Sequence, residues 1–77
     1  KLDITIYPNP SKSTIWIKGD LSTISRYEMY DIVGQLVQKG SLHDPHIEVS
    51  NLPLGTYFIK LYGNNQNEIH TQKIIVQ

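Results

Sequence analysis

The run Gly55-Thr56-Tyr57-Phe58-Ile59-Lys60-Leu61-Tyr62 has a period of two. Tyr57, Ile59 and Leu61 recur at every second residue, which puts their side chains on one face of an extended chain. The residue types agree, because β-branched and aromatic side chains suit a pleated, half-buried surface. A polar segment follows, Gly63-Asn64-Asn65-Gln66-Asn67, and Glu68 to Val76 then returns with strand character. The spacing predicts a hairpin closing on a terminal strand.

Working outward, the same signal repeats. Leu2, Ile4 and Ile6 alternate with Asp3, Thr5 and Tyr7, until Pro8-Asn9-Pro10 ends the run. Neither proline can donate to a ladder, and each restricts the residue before it. Ile15 and Ile17 flank Trp16 in a second strand closed by Gly19-Asp20. A third is expected from about Arg26 to Ile32, with Gly34 turning the chain into Gln35–Lys39. Gly40 to Pro45 reads as a loop, and His46–Ser50 as a short strand. Alanine is absent, and no window carries apolar residues at helical spacing. The expectation is an all-β fold, an antiparallel sandwich of about seven strands, immunoglobulin-like, formed by residues 1–77 as one domain. Its core should contain Ile4, Ile6, Ile15, Ile17, Tyr57, Ile59, Leu61, Ile74 and Val76. Each large aliphatic side chain buried there contributes about 1.5–3 kcal/mol, most of it offset by ordering entropy.

Composition narrows the function classes. The 77 residues carry seven Lys plus Arg against seven Asp plus Glu, and the basic residues are scattered singly. That disfavours nucleic acid and anionic membrane surfaces, which require clustered positive charge. No apolar run is long enough to cross a bilayer as a helix, and residues 1–10 show no apolar signal-peptide core. If the chain is exported, its signal peptide is expected elsewhere, and the chain is a fragment of a larger secreted protein. Cysteine is absent, so neither a disulfide nor a thiolate metal site is available.

Catalytic patterns are equally sparse. His43-Asp44-Pro45-His46 could begin a metal site, but no further ligand follows at a familiar spacing, and a polar loop shaped by Asp44-Pro45 is the simpler reading. His70 reads as a surface residue. No Gly-x-Ser-x-Gly elbow and no phosphate-binding glycine loop occurs, and a thin sandwich has little room for an enclosed pocket. We expect no enzyme activity, no catalytic residue, no metal and no cofactor. The sharper alternative lies in Trp16, Phe58 and Tyr62, which alternation places opposite the aliphatic face, although rings that cover the sandwich edge or pack under the loops are the simpler reading. An exposed row of rings would suit a small fibronectin- or immunoglobulin-like accessory module binding glycan or protein in a secreted enzyme or adhesin. An inert spacer is the third reading.

Four segments remain, in order. They are Tyr7-Pro8-Asn9-Pro10, Met29-Tyr30-Asp31-Ile32-Val33-Gly34-Gln35-Leu36-Val37, Leu52-Pro53-Leu54-Gly55-Thr56-Tyr57-Phe58-Ile59 and Lys73-Ile74-Ile75-Val76. Each has a physical reading. Pro8 and Pro10 stiffen the exit from the first strand, where Asn9 is expected to bond its own backbone. Asp31 can accept backbone N–H groups in a hairpin turn, with Gly34 free to take positive φ. Gly55 permits a sharp bend or bulge into a strand, and Tyr57 can bury its ring while its hydroxyl reaches a polar partner.

Together, over essentially the whole chain, the four segments resemble the type A C-terminal sorting domain of the type IX (Por) secretion system of Bacteroidota. The resemblance implies delivery. Such a domain follows an N-terminal cargo domain of the same chain, reaches the periplasm, and is recognised by the type IX translocon and an outer-membrane shuttle protein. The cargo then lies at the cell surface or is secreted, and a surface sortase typically removes the domain as its substrate. Carried over by position, Gly55, Tyr57, Lys73, Ile74, Ile75 and Val76 are the candidate recognition residues, and Pro8, Asn9, Pro10, Asp31 and Gly34 define turns. Gln35 and Gln77 depart from the family's pattern, where basic or aliphatic residues are common. The terminal strand is expected at or near a sheet edge, with its backbone available to the translocon.

Overall fold

The computed structural model describes residues 3–77; Leu2, which opens the expected first strand, lies outside them. The chain forms β1 (Thr5–Tyr7), β2 (Thr14–Lys18), one 3-10 turn (Leu21–Thr23), β3 (Ile24–Asp31), β4 (Leu36–Ser41), β5 (His46–Glu48), β6 (Gly55–Gly63) and β7 (Glu68–Val76). The strands form a three-stranded sheet, β1-β2-β5, and a four-stranded sheet, β4-β3-β6-β7. All neighbours within the sheets are antiparallel. The pairings β1-β2-β5 and β3-β6-β7 are those of an immunoglobulin-type sandwich. The fourth strand pairs with β3, whereas in constant immunoglobulin domains it lies beside the fifth.

Several boundaries differ from the sequence reading. β1 covers only Thr5–Tyr7, and β5 stops at Glu48. β4 continues through Gly40 and Ser41, which composition had marked as loop. Its partner explains this. Gly40 pairs with Tyr27, and a β-carbon at Gly40 would stand 3.1 Å from the Tyr27 ring. The ring covers the bare backbone of the facing strand, so glycine is kept within the sheet.

The core fills the space between the sheets. Ile6 pairs with Ile17 and Ile15 with Ile47 on the three-stranded side. Tyr27 pairs with Leu61, Met29 with Ile59 and Tyr57 with Ile74 on the other. These residues and Val76 are buried, and Ile24, Leu42 and Val49 close the ends. Ile4, expected in the core, is only partly buried and packs at its margin.

The row of exposed rings that the binding-module alternative requires is not present. Trp16 stands on the outer face of the three-stranded sheet, in register with Tyr7 and His46, its ring centre 5.2 Å from that of His46. Phe58 and Tyr62 belong to the outer face of the other sheet, on the far side of the sandwich. Alternation along a strand gives the face of a sheet; it does not say which sheet. Tyr62 is also occupied. The Arg26 guanidinium lies 3.8 Å above its ring, and its hydroxyl donates to Glu28 at 2.8 Å.

A candidate recognition site at the terminal strand

β7 is an edge strand of the four-stranded sheet. Its alternation sends Ile74 and Val76 into the core, while Lys73 and Ile75 face outward, Lys73 opposite Phe58 and Ile75 opposite Thr56. An edge strand presents unpaired backbone groups that invite another strand. Here those groups are met by the segment leaving β1. The Asn9 side-chain amide donates to the Lys73 carbonyl at 3.0 Å, and the Ile75 N–H donates to Asn9 Oδ1 at 2.9 Å. Two residues on, the Ser11 N–H donates to the Ile75 carbonyl and the Gln77 N–H to the Ser11 carbonyl, both at 2.8 Å, forming a parallel bridge between Ser11 and Val76.

This corrects the expectation for Asn9, whose side chain bonds β7 and not its own turn. A primary amide carries the same donor–acceptor pair as a peptide group, so one side chain serves as a short piece of strand. Ser11 is buried and its hydroxyl donates to the Thr14 carbonyl at 2.9 Å, which holds the segment in place from below. Gln72 adds a tie between the sheets, its amide donating to the Ile6 carbonyl at 3.2 Å. Pro8 and Pro10 flank Asn9, and both preceding peptide bonds are cis.

The other singled-out residues gather at the same end of the sheet. Asp31, Tyr57 and Ile74 form one cross-strand row, and Gly55 pairs with Val76. The Tyr57 ring is buried, and its hydroxyl donates to the Pro53 carbonyl at 2.6 Å. A tyrosine near the start of the sixth strand bonding backbone a few residues upstream is the tyrosine corner of immunoglobulin-like sandwiches. Gly55 has φ +153°, and nothing lies within 4 Å of where a β-carbon would stand. Its glycine requirement is therefore one of backbone geometry, not of space.

The Asp31 carboxylate accepts from the Val33 and Gln35 N–H groups at 3.0 and 2.9 Å, and Gly34 takes φ +89°. This turn pushes Ile32 and Val33 outward, 72% and 76% exposed, and across a shallow cleft Leu54 is 77% exposed. Sequence reasoning did not mark these three side chains as surface, nor Ser11 as a partner of β7. For Ile32, Val33 and Leu54 the available signal was their nearness to the turn glycines Gly34 and Gly55; nothing local marked Ser11.

Electrostatics on the same sheet are self-contained. Glu28 accepts from the Tyr30 hydroxyl at 2.5 Å, the Tyr62 hydroxyl at 2.8 Å and Arg26 at 2.9 Å. The two tyrosine hydroxyls, chiefly Tyr30, hold the Glu28 carboxyl below its usual range, and the same bond pushes the Tyr30 phenol up to about 12. His43 and Asp44 are exposed in the β4–β5 loop, while His46 rests against Trp16. Among the described residues, no three of His, Cys, Asp and Glu come together as a metal site. Chemically, the arrangement offers hydrogen-bonding edges and apolar side chains, which suit recognition by contact.

The fold and site thus define a small β-sandwich module whose distinctive residues shape turns and a terminal strand. Residues 5–77 match the family described as the secretion system C-terminal sorting domain, and the chain belongs to that family, which serves type IX secretion. The family is one of sorting signals, not of enzymes. The chain is also similar to an endo-acting ulvan lyase of Formosa agariphila, 28% identical over 78 residues. That match takes in 95% of this chain and only 15% of the lyase. The domain accordingly belongs to a secreted or cell-surface protein.

Proposed function

We propose that this domain directs an N-terminal cargo domain of the same chain across the outer membrane, and that the translocon and an outer-membrane shuttle protein read it in the periplasm. The surface read is the end of the four-stranded sheet that carries Gly55, Tyr57, Lys73 and Ile74–Val76, with Pro8, Asn9, Pro10, Asp31 and Gly34 holding it in shape. A surface sortase then removes the domain as its substrate. The observation that supports this reading above all is the family match across residues 5–77. The splitting of Trp16 from Phe58 and Tyr62 onto opposite faces removes the contiguous row of rings on which a glycan-binding alternative depended.

The test is a reporter carrying a signal peptide, fused to this domain and expressed in a type IX-competent bacterium. The reporter should appear at the surface or in the medium, shortened by the mass of the domain. Deleting Lys73–Gln77 should leave it in the periplasm. A fusion that never leaves the periplasm, or a deletion that makes no difference, refutes the reading.

A further inference from the structure

We infer that the outer edge of β7 is a masked strand-addition site, covered by the Asn9–Ser11 segment and taken during export by an extended segment of the translocation machinery running parallel to β7. This rests on the sorting reading above. Four backbone groups of that edge, the Lys73 carbonyl, the Ile75 N–H and carbonyl and the Gln77 N–H, are each already hydrogen-bonded in the manner of a strand. The Ser11–Val76 bridge is parallel, which fixes the direction an incoming strand must take to reproduce those bonds.

The cover is slight. Two of its four bonds come from the side chain of one exposed residue, whereas eight paired residues join β7 to β6 on the other side. Exchanging the cover for an incoming strand keeps these four groups bonded, while the β6–β7 ladder remains in place. The Ile75 N–H and carbonyl both point to this edge, so the β6 ladder does not use them.

Two substitutions in the full reporter fusion separate the possibilities. Asn9→Ala uncovers the edge; hydrogen exchange at the Ile75 amide should quicken about tenfold, with core amides unchanged. Ile75→Pro removes the edge donor without touching the β6 ladder, and export should fall at least about tenfold while the domain still melts cooperatively. Should Ile75→Pro fail to fold, a photo-crosslinking residue at exposed position Lys73 decides; its adducts to the translocon should be more abundant in the Asn9→Ala background. Wild-type export of a folded Ile75→Pro fusion overturns the inference, as does crosslinking that Asn9→Ala leaves unchanged. Loss of export in Asn9→Ala with unaltered Ile75 exchange also overturns it, because the loop itself is then what is read. If the unmodified fusion stays in the periplasm, the sorting reading fails first, and this one with it.

Discussion

Replacing Tyr57 by phenylalanine removes one oxygen atom and one hydrogen bond, the 2.6 Å donation to the Pro53 carbonyl. The ring itself stays, 5% exposed, between Asp31 and Ile74 of the adjoining strands. Pro53 is exposed, so water can partly replace the lost donor, and the cost should be about 1–1.5 kcal/mol and not the larger penalty of an orphaned buried carbonyl. In a domain of this size that lowers the melting temperature by about 4–12 °C. Tyr57→Ala removes the ring as well and should cost about 3–5 kcal/mol. The whole stability of such a chain is only about 4–12 kcal/mol, so the alanine variant should lose at least about a quarter of it and melt well below Tyr57→Phe. Thermal melting followed by circular dichroism gives both numbers. If Tyr57→Phe melts within about 1 °C of the parent, the corner bond contributes nothing. If it is as damaged as Tyr57→Ala, the hydroxyl does more than hold Pro53. Either result defeats the reasoning.

Two further outcomes follow from the sheet's two faces. Ile59 is fully buried against Met29, so Ile59→Ala should cost roughly 2–5 kcal/mol by urea unfolding, whereas outward Ile75→Ala should cost less than about 1 kcal/mol. Equal effects would place the sheet the wrong way round. Glu28 has its carboxyl held low by the Tyr30 and Tyr62 hydroxyls, so its contribution is complete above the ordinary carboxylate range and is lost as pH falls through the lowered value. Tyr30 has the opposite sense: raised to about 12, its contribution is complete below the ordinary tyrosine range and is lost as pH rises through that value. Glu28→Gln should flatten the acid limb of a stability–pH profile and, in an absorbance titration, bring Tyr30 down among the ordinary tyrosines; an unmoved high-pH step would remove Glu28 as the cause.

How far the fold was legible depended on whether polarity alternated with geometry. In β6 the inward set Tyr57, Ile59 and Leu61 could be read directly, and Ile74 and Val76 of β7 followed at the same spacing. In β3 the inward set could not be read so, because tyrosines stand on both faces: Tyr27 is buried, while Tyr30 lies outward bonded to Glu28. Only Met29 and the register with β6 separate them. Leu42 is a core residue in the β4–β5 loop, where no period exists to reveal it. The turn at Asp31–Gly34 was visible because its chemistry is local. The Asn9 contact was not, because its partners lie 64 and 66 residues away, and an asparagine between prolines reads the same whether it bonds itself or a distant strand.

That long-range contact also has a consequence in time. A chain delivered from its N-terminus supplies β1 and the Tyr7–Ser11 segment early, but their partner on the edge of β7 comes last. Until then β6 lacks its outer neighbour, Tyr57 lacks Ile74, and Asn9 has nothing to hold. Contacts of such high sequence separation form late, after the loop between them has closed. The finished edge therefore exists only once the final residues of the domain have arrived, so its appearance marks the completion of the domain itself.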